Sequence, residues 1–351
     1  MNDSIELRFK IKTAKEITIG SLDSLLLIAG RINDNITIEC DDGGAQFVEV
    51  RFGGLLSRFL EQPADLKILQ RLLPIAFGSQ KAGTWPLLVV RATFFNCGGL
   101  AVGVCLSHKC ADATTMGIFM KCWAAASSGS AQVVSPVLNA PSYFPPKDIP
   151  FIGATFELKK AECVTKRYVF DKEKIVALKA KTASDSVQQP TRVEVVTALI
   201  GKCVMSASRS NLGFAKKFVL SPSINICRRA DLPLSDNLVG NLIGYFLAET
   251  NEDEPEVETL VAELRKGIRE YSENKAKRLR GDGASEVICK DLIEGGELIR
   301  RDDIRVLIFT SLCFDLYEVV DFGWGKPIWV TMPATGHSNV VTLMDTRGGW
   351  S

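Results

Sequence analysis

The sequence LAVGVCLS at residues 100–107 continues directly into HKCAD at residues 108–112 and then into ATTMGIFMKCWAAA at residues 113–126. Apolar side chains fill both faces of the first segment, which is typical of a strand in the middle of a sheet. The last segment predicts a helix packed on a core, because four large apolar side chains recur on one helical face: Met116, Phe119, Met120 and Trp123. A strand is therefore predicted to lead through a short loop straight into a helix.

Strand and helix patterns occur on both sides of a proline-rich stretch at residues 127–150. Prolines can neither continue a helix nor sit inside a sheet, and five occur here: Pro136, Pro141, Pro145, Pro146 and Pro150. We therefore predict an N-terminal domain over residues 1–135, a crossover segment over residues 136–165 and a C-terminal domain over residues 166–351. The predicted fold class is α/β or α+β.

The remaining elements are predicted from periodicity and turn residues. Further helices are expected at residues 172–181, 191–206 and 259–278. Strands are expected at residues 85–93, 168–170, 218–226, 305–312 and 328–332. A turn at residues 41–44 predicts a hairpin between residues 36–38 and 47–50.

The composition of the 351-residue chain excludes several classes of protein. Lysine and arginine total 42 against 41 aspartates and glutamates, so no nucleic-acid or membrane partner is predicted. No apolar run approaches the roughly 18 residues of a membrane span, and the charged first residues do not resemble a signal peptide. The ten cysteines form no C-x-x-C pair and lie largely in apolar segments, which predicts a cytoplasmic protein without disulfides.

His108 is the main candidate for a general base, because the chain has only two histidines and this one ends the predicted strand. Asp112 lies at the expected N-cap of the following helix, where its carboxylate can accept from free amides and can also pair with a cation. The alternative for His108 is a packed, hydrogen-bonded core histidine. The other histidine, His337, lies in a polar loop and is not a catalytic candidate.

A second constellation lies at Asp321-Phe322-Gly323-Trp324-Gly325. Two glycines around a tryptophan are typical of a loop that packs an aromatic ring and approaches another backbone closely. The predicted role is structural, since only Asp321 could act as a nucleophile or base.

HKCAD at residues 108–112 followed by DFGWG at residues 321–325 resembles the paired signature of the BAHD acyltransferases of plant specialised metabolism. Segments at residues 27–35, 190–196, 240–241 and 310–313 resemble the family in order and spacing, so the likeness covers nearly the whole chain. Within the family, the sequence looks closest to the vinorine synthase and capsaicin synthase branch.

The resemblance implies two similar domains like those of chloramphenicol acetyltransferase, each a mixed sheet with helices. His108 would deprotonate an alcohol or amine for attack on the thioester of acyl-CoA, the co-substrate. Thr310 falls where relatives place a hydroxyl for the oxyanion, Asp112 would orient the site, and Asp321 would lie away from the chemistry. The family implies a monomer, and no metal-ligand cluster is present.

Three features depart from the family pattern. Ala113 replaces the usual glycine, and Cys227 replaces an arginine that usually pairs with the motif aspartate, although Arg228 or Arg229 could substitute. Both ends of the chain look short. The alternative to an active enzyme is therefore a truncated, catalytically inactive relative. A hydrolase on the same scaffold and a pure binding module, which would not need His108, remain further alternatives.

Overall fold

The computed structural model describes residues 7–9, 28, 30–33, 37–40, 44–61, 66–75, 86–130, 134–145, 163–214, 216–230, 234–250, 252–279 and 281–347. The strands are β1 (Leu7–Phe9), β2 (Arg31–Asn33), β3 (Thr37–Glu39), β4 (Gln46–Phe52), β5 (Leu88–Phe95), β6 (Leu100–Leu106), β7 (Lys217–Asn225), β8 (Ile243–Tyr245), β9 (Ala248–Glu249), β10 (Ile304–Leu312) and β11 (Val340–Met344). The α-helices are α1 (Ser57–Leu60), α2 (Ala113–Ser128), α3 (Ala140–Tyr143), α4 (Lys172–Lys181), α5 (Arg192–Leu212), α6 (Val257–Glu270), α7 (Ala284–Arg300) and α8 (Leu316–Val319).

The first half of the chain, residues 7–130, forms a mixed sheet in the order β1-β4-β5-β6. β4 and β5 are parallel, and the two outer pairs are antiparallel. Helix α2 packs on this sheet through Ile118, Phe119 and Cys122, which share a buried cluster with Leu88 and Val90 of β5. The helix therefore buries the apolar face that its sequence predicts.

The second half, residues 163–347, forms another mixed sheet in the order β11-β10-β7-β8, with β9 also paired to β7. β10 is parallel to both β7 and β11, while β8 and β9 run antiparallel to β7. Helices α5 and α6 contribute buried side chains to the core of this half together with Leu220 and Phe309. Each half is thus a mixed sheet with helices, and the predicted fold class is confirmed.

Several predicted elements are confirmed with small shifts in their ends. α4 has the predicted bounds, α5 is longer than predicted, and β7 and β10 lie within one residue of the predicted strands. The predicted helix at residues 259–278 begins at Val257 and leaves α-helical geometry at Tyr271, where a π-helical turn (Tyr271–Lys275) and a 3-10 turn (Ala276–Arg278) continue it.

The predictions for residues 168–170 and 328–332 are wrong. Residues 163–171 have no strand partner in the part of the chain that the structure describes, and Tyr168 is 72% exposed. Residues 328–332 are irregular, and the main-chain N–H and carbonyl of Val330 bond the hydroxyl of Tyr317, at 2.8 and 3.4 Å, instead of a strand. The edge strand next to β10 in the second sheet is β11, which was not predicted.

The predicted hairpin is also wrong. β3 pairs with β2 in a separate small sheet, and β4 pairs with β1 and β5. Most of the turn predicted between β3 and β4, residues 41–43, lies outside the described residues.

Strand β6 was predicted in the middle of a sheet, but among the described strands it lies at one edge of the sheet, opposite β1. Its two apolar faces have another cause. Val104 and Leu106 pack toward α2, whereas Ala101 packs with Leu69 and Leu72 of a 3-10 helix at Ile68–Leu72. A strand covered on both faces by helical segments has the same pattern as a central strand.

The contact between β6 and that 3-10 helix requires glycine at position 103. A Cβ atom on Gly103 would lie 2.1 Å from the carbonyl oxygen of Leu72, which is main chain and cannot rotate away. We expect Gly103→Ala to lower the free energy of unfolding by about 1–3 kcal/mol, as overpacking does. Urea denaturation measures this.

Gly53→Ala is the matched control, since a Cβ there meets nothing within 4 Å. Equal stability losses in the two variants would contradict the proposed steric cause.

Candidate active site

His108 lies in the turn that follows β6, where the sequence places it, and its side chain is exposed. The main chain around it is tied down on both sides. Ser107 donates its N–H to the carbonyl of Leu87 at 2.8 Å. Asn241 of the second half donates its side-chain Nδ2 to the carbonyl oxygen of His108 at 2.6 Å. An exposed imidazole on a fixed main chain is accessible to a small molecule.

Asp112 is the N-cap of α2, as predicted, and is only 5% exposed. Its Oδ1 accepts from the N–H of Thr115 at 2.8 Å, and its Oδ2 accepts from the N–H of Leu242 at 3.0 Å. One donor belongs to the helix itself and the other to the second half of the chain. The carboxylate therefore joins the two halves while it caps the helix.

Further hydrogen bonds surround this carboxylate. Thr115 donates its hydroxyl to the carbonyl of Gly240 at 2.8 Å and accepts from the N–H of the same residue at 3.0 Å. The N–H of Asp112 donates to the same carbonyl at 3.1 Å. Asn225, at the end of β7, donates its Nδ2 to the hydroxyl of Thr114 at 3.1 Å. We call the hydrogen bonds between residues 108–115 and residues 225 and 240–242 the clamp.

Cys227 stands two residues beyond Asn225 and is buried, with 3% exposure. Burial, and second the negative charge of Asp112, raise the pKa of the Cys227 thiol to about 11, so it stays neutral at physiological pH. Its main-chain N–H donates to Oδ1 of Asn225 at 2.7 Å.

Neither neighbouring arginine replaces the cation expected at position 227. Arg228 pairs with Asp236 at 2.8 Å, and Arg229 donates to the main-chain carbonyl of Asn225 at 2.9 Å. Burial lowers the pKa of Arg229. The negative charge of Asp112 is instead met by two main-chain N–H groups at the positive end of the α2 dipole.

Thr310 lies near the end of β10 and is half-buried. Its neighbour Phe309 belongs to the core of the second half, so Thr310 points to the other face of the sheet. β10 and β7 are parallel, and both end near the start of α2. Asn225 bonds Thr114 there, and a Cβ on Gly117 would lie 3.6 Å from the ring of Phe314. The strand that carries Thr310 thus ends beside the first turns of the helix capped by Asp112.

The side chain of Asp321 accepts hydrogen bonds from the loop in which it lies. Its Oδ1 accepts from the N–H groups of Gly323 at 2.8 Å and Gly325 at 3.0 Å, and both glycines have positive φ, 95° and 112°. These bonds hold the carboxylate within the loop, and its structural role stays a prediction.

The buried ring of Phe322 packs between two tryptophans. It meets Trp123 of α2 edge-on at 4.7 Å and stacks on Trp324 at 5.2 Å. Trp123 lies eleven residues beyond Asp112, about 16 Å along the helix at 1.5 Å per residue. The loop therefore contacts the far end of α2, away from His108.

Comparison with known proteins gives consistent results. The profile of the Transferase family matches residues 10–351. Epi-neemfruitin B 7-O-acetyltransferase L7AT of Melia azedarach is 32% identical over 353 residues, which cover 96% of this chain and 78% of that protein. Vinorine synthase of Rauvolfia serpentina is 35% identical over 332 residues, covering 92% of this chain and 75% of that protein. The chain belongs to the BAHD acyltransferases.

The crystal structure of vinorine synthase superposes on the acyltransferase with a TM-score of 0.77 at 32% identity, covering 93% of this chain and 76% of that one. The family, predicted from the two motifs, and the likeness to its vinorine synthase branch are both confirmed. The F. sporotrichioides TRI101 structure, complexed with coenzyme A and T-2, has a TM-score of 0.66 at 15% identity and covers 92% of this chain and 80% of that one. At that identity it supports the fold alone.

No helix among the described residues is long and apolar enough to cross a membrane. No group of three or more histidine, cysteine, aspartate or glutamate side chains in those residues could hold a metal ion.

Sequence reasoning missed the role of the clamp residues of the second half. Asn225 was not among the predicted site residues, and Asn241 entered only as part of the family likeness at residues 240–241. Asparagine is common in loops and turns, so neither position carries a signal of its own in one sequence. Their partners lie more than one hundred residues away in the chain.

The clamp makes Asp112 a stability residue. In Asp112→Asn one of the two acceptor oxygens becomes an NH2 group that faces a main-chain N–H. We expect the free energy of unfolding to fall by about 2 kcal/mol, since hydrogen bonds to charged groups contribute about 1.5–3 kcal/mol. Urea denaturation of Asp112→Asn and of the exposed control Asp185→Asn measures the difference. Equal midpoints for the two variants would disprove this role.

Two substitutions of Asp321 are expected to differ in their effect on stability. Asparagine keeps an Oδ1 acceptor for both glycine N–H groups, whereas alanine removes it. We expect Asp321→Ala to lose about 1–2 kcal/mol of unfolding free energy and Asp321→Asn to stay within about 0.5 kcal/mol of the parent chain. Thermal melts of both variants test this, and a loss in Asp321→Asn as large as in Asp321→Ala would show that the negative charge is what matters.

Proposed function

We propose that the acyltransferase moves an acyl group from acyl-CoA to a small-molecule alcohol or amine, with His108 as the general base. The observation that supports this most strongly is the clamp. It fixes the main chain of His108 from the opposite half of the chain while the imidazole stays exposed. A general base needs this combination of a fixed position and an accessible ring.

The reaction begins when the acceptor hydroxyl or amine attacks the thioester carbonyl. As the new C–O or C–N bond forms, the proton of the acceptor passes to the imidazole of His108. Such proton transfer typically contributes about 10²–10⁴-fold to the rate. Collapse of the tetrahedral intermediate breaks the C–S bond, and the departing thiolate recovers the proton from His108.

The negative charge on the tetrahedral oxygen requires a donor. We assign this donation to the hydroxyl of Thr310, which faces away from the core of the second half near the end of β10. Asp112 has both oxygens engaged by main-chain N–H groups. Its proposed role is accordingly to orient the site and not to exchange protons with His108.

Acyl-CoA is the proposed donor because the chain belongs to the BAHD acyltransferases, for which the family resemblance implies acyl-CoA as the co-substrate. Acetyl-CoA is the first donor to test, since one relative is an acetyltransferase by name. The proposed acceptors are hydroxyl and amine compounds of plant specialised metabolism. We also propose that the protein is a cytoplasmic monomer.

The domain boundaries also remain a proposal: residues 1–135, a crossover over residues 136–165, and residues 166–351. Much of the crossover lies outside the described residues. Its described start supports the proposal, because Val137 exchanges main-chain hydrogen bonds of 2.9 Å with Asn237 and Val239 of the second half.

The alternative of an inactive relative rested partly on Cys227. The clamp weakens that argument, because each oxygen of Asp112 accepts a main-chain hydrogen bond without an arginine at position 227. We therefore favour the active enzyme.

The decisive measurement is thiol release from acetyl-CoA with a panel of hydroxyl and amine acceptors. We expect the parent chain to release thiol only when an acceptor is present, and His108→Ala to lose at least about 10²-fold of that rate. His337→Ala is the matched control, since it removes the only other histidine.

A folded parent chain that releases no thiol with any donor or acceptor would contradict the proposal. Full activity in His108→Ala would support acyl transfer but would contradict the role of His108 as the general base. Acceptor-independent release would favour the hydrolase.

A further inference from the structure

Asn241 makes a contact to the proposed base that its neighbours in the sequence do not make. Its Nδ2 donates a hydrogen bond of 2.6 Å to the carbonyl oxygen of His108. Its two neighbours in the sequence, Gly240 and Leu242, contact Asp112 and Thr115. Only the side chain of Asn241 reaches back across the turn to residue 108.

The three contacts differ in which residue types can make them. Gly240 and Leu242 bind α2 through main-chain groups, which every residue type except proline supplies. The contact of Asn241 requires a side-chain N–H donor of the correct length. Leucine has a similar size and no donor, and aspartate would place an oxygen against the carbonyl oxygen of His108.

We infer that Asn241 is a positioning residue for catalysis: by holding the carbonyl of residue 108 it fixes the main chain from which the imidazole of His108 projects. The inference rests on the proposed function, because it assumes that His108 is the base. Displacement of a reacting group by about 1 Å can cost about 10²-fold in rate. Asn241 acts through His108 and does not touch substrate in this scheme.

The kinetic test compares Asn241→Leu and Asn241→Asp with the parent chain. We expect kcat for acceptor-dependent thiol release to fall by about 10–100-fold in both variants, while KM for both substrates changes by less than about twofold. Asn211→Ala is the control, since Asn211 is exposed at the end of α5, and it should retain the parent kcat.

A second measurement does not depend on activity. The chain has two histidines, so the imidazole signals in an NMR spectrum reduce to His108 and His337, assigned with His108→Ala. We expect Asn241→Leu to shift or broaden the His108 signal and to leave the His337 signal unchanged. His337 thereby serves as an internal reference for the global fold.

Parent kcat together with an unchanged His108 signal in Asn241→Leu would overturn the inference. So would changes in both histidine signals with a lower melting temperature, since Asn241 would then support the fold in general. If the parent chain releases no thiol at all, the proposed function fails, and the NMR measurement alone decides whether Asn241 positions His108.

Discussion

The carboxylate of Asp112 is the group on which the arrangement of the two halves at the site depends. A buried negative charge is costly unless it is hydrogen-bonded, and here it has two charge-assisted bonds, one to its own helix and one to Leu242. Moving the halves apart would leave the buried carboxylate with only one of its two main-chain donors. The carboxylate thus links the stability of the interface to the position of the neighbouring His108.

Helix α2 carries this link along its length. Its start is held by the clamp, its middle packs on the first sheet, and its end contacts Phe322 through Trp123. The helix belongs to the first half by sequence but is bound by the second half at both ends. The two family motifs, separated by about two hundred residues, therefore act on one helix: the first caps it and carries the proposed base, and the second packs against its far end.

The sequence predicts the parts of this arrangement that depend on local chemistry. The N-cap at Asp112, the helix after it and the turn at Asp321 each follow from residues close together in the chain. The sequence predictions are wrong where the structure depends on pairing between residues far apart in the chain. Residues 328–332 and 340–344 are both apolar, and within the described ranges only the second run has a strand partner, in β10. The clamp escaped prediction for the same reason, since asparagines at positions 225 and 241 are ordinary loop residues until their partners are known.

The presence of Cys227 in place of the family's arginine is explained by the hydrogen bonds that Asp112 already accepts. An arginine beside Asp112 would neutralise the carboxylate, but burying two charges costs desolvation that good geometry only partly recovers. In this chain the helix terminus and Leu242 supply the compensation without a second buried charge, and a neutral thiol fills the space. The position at 227 is then free to be apolar, because what the site requires is that both carboxylate oxygens keep donors and that the strand end at Asn225 stays bonded to Thr114.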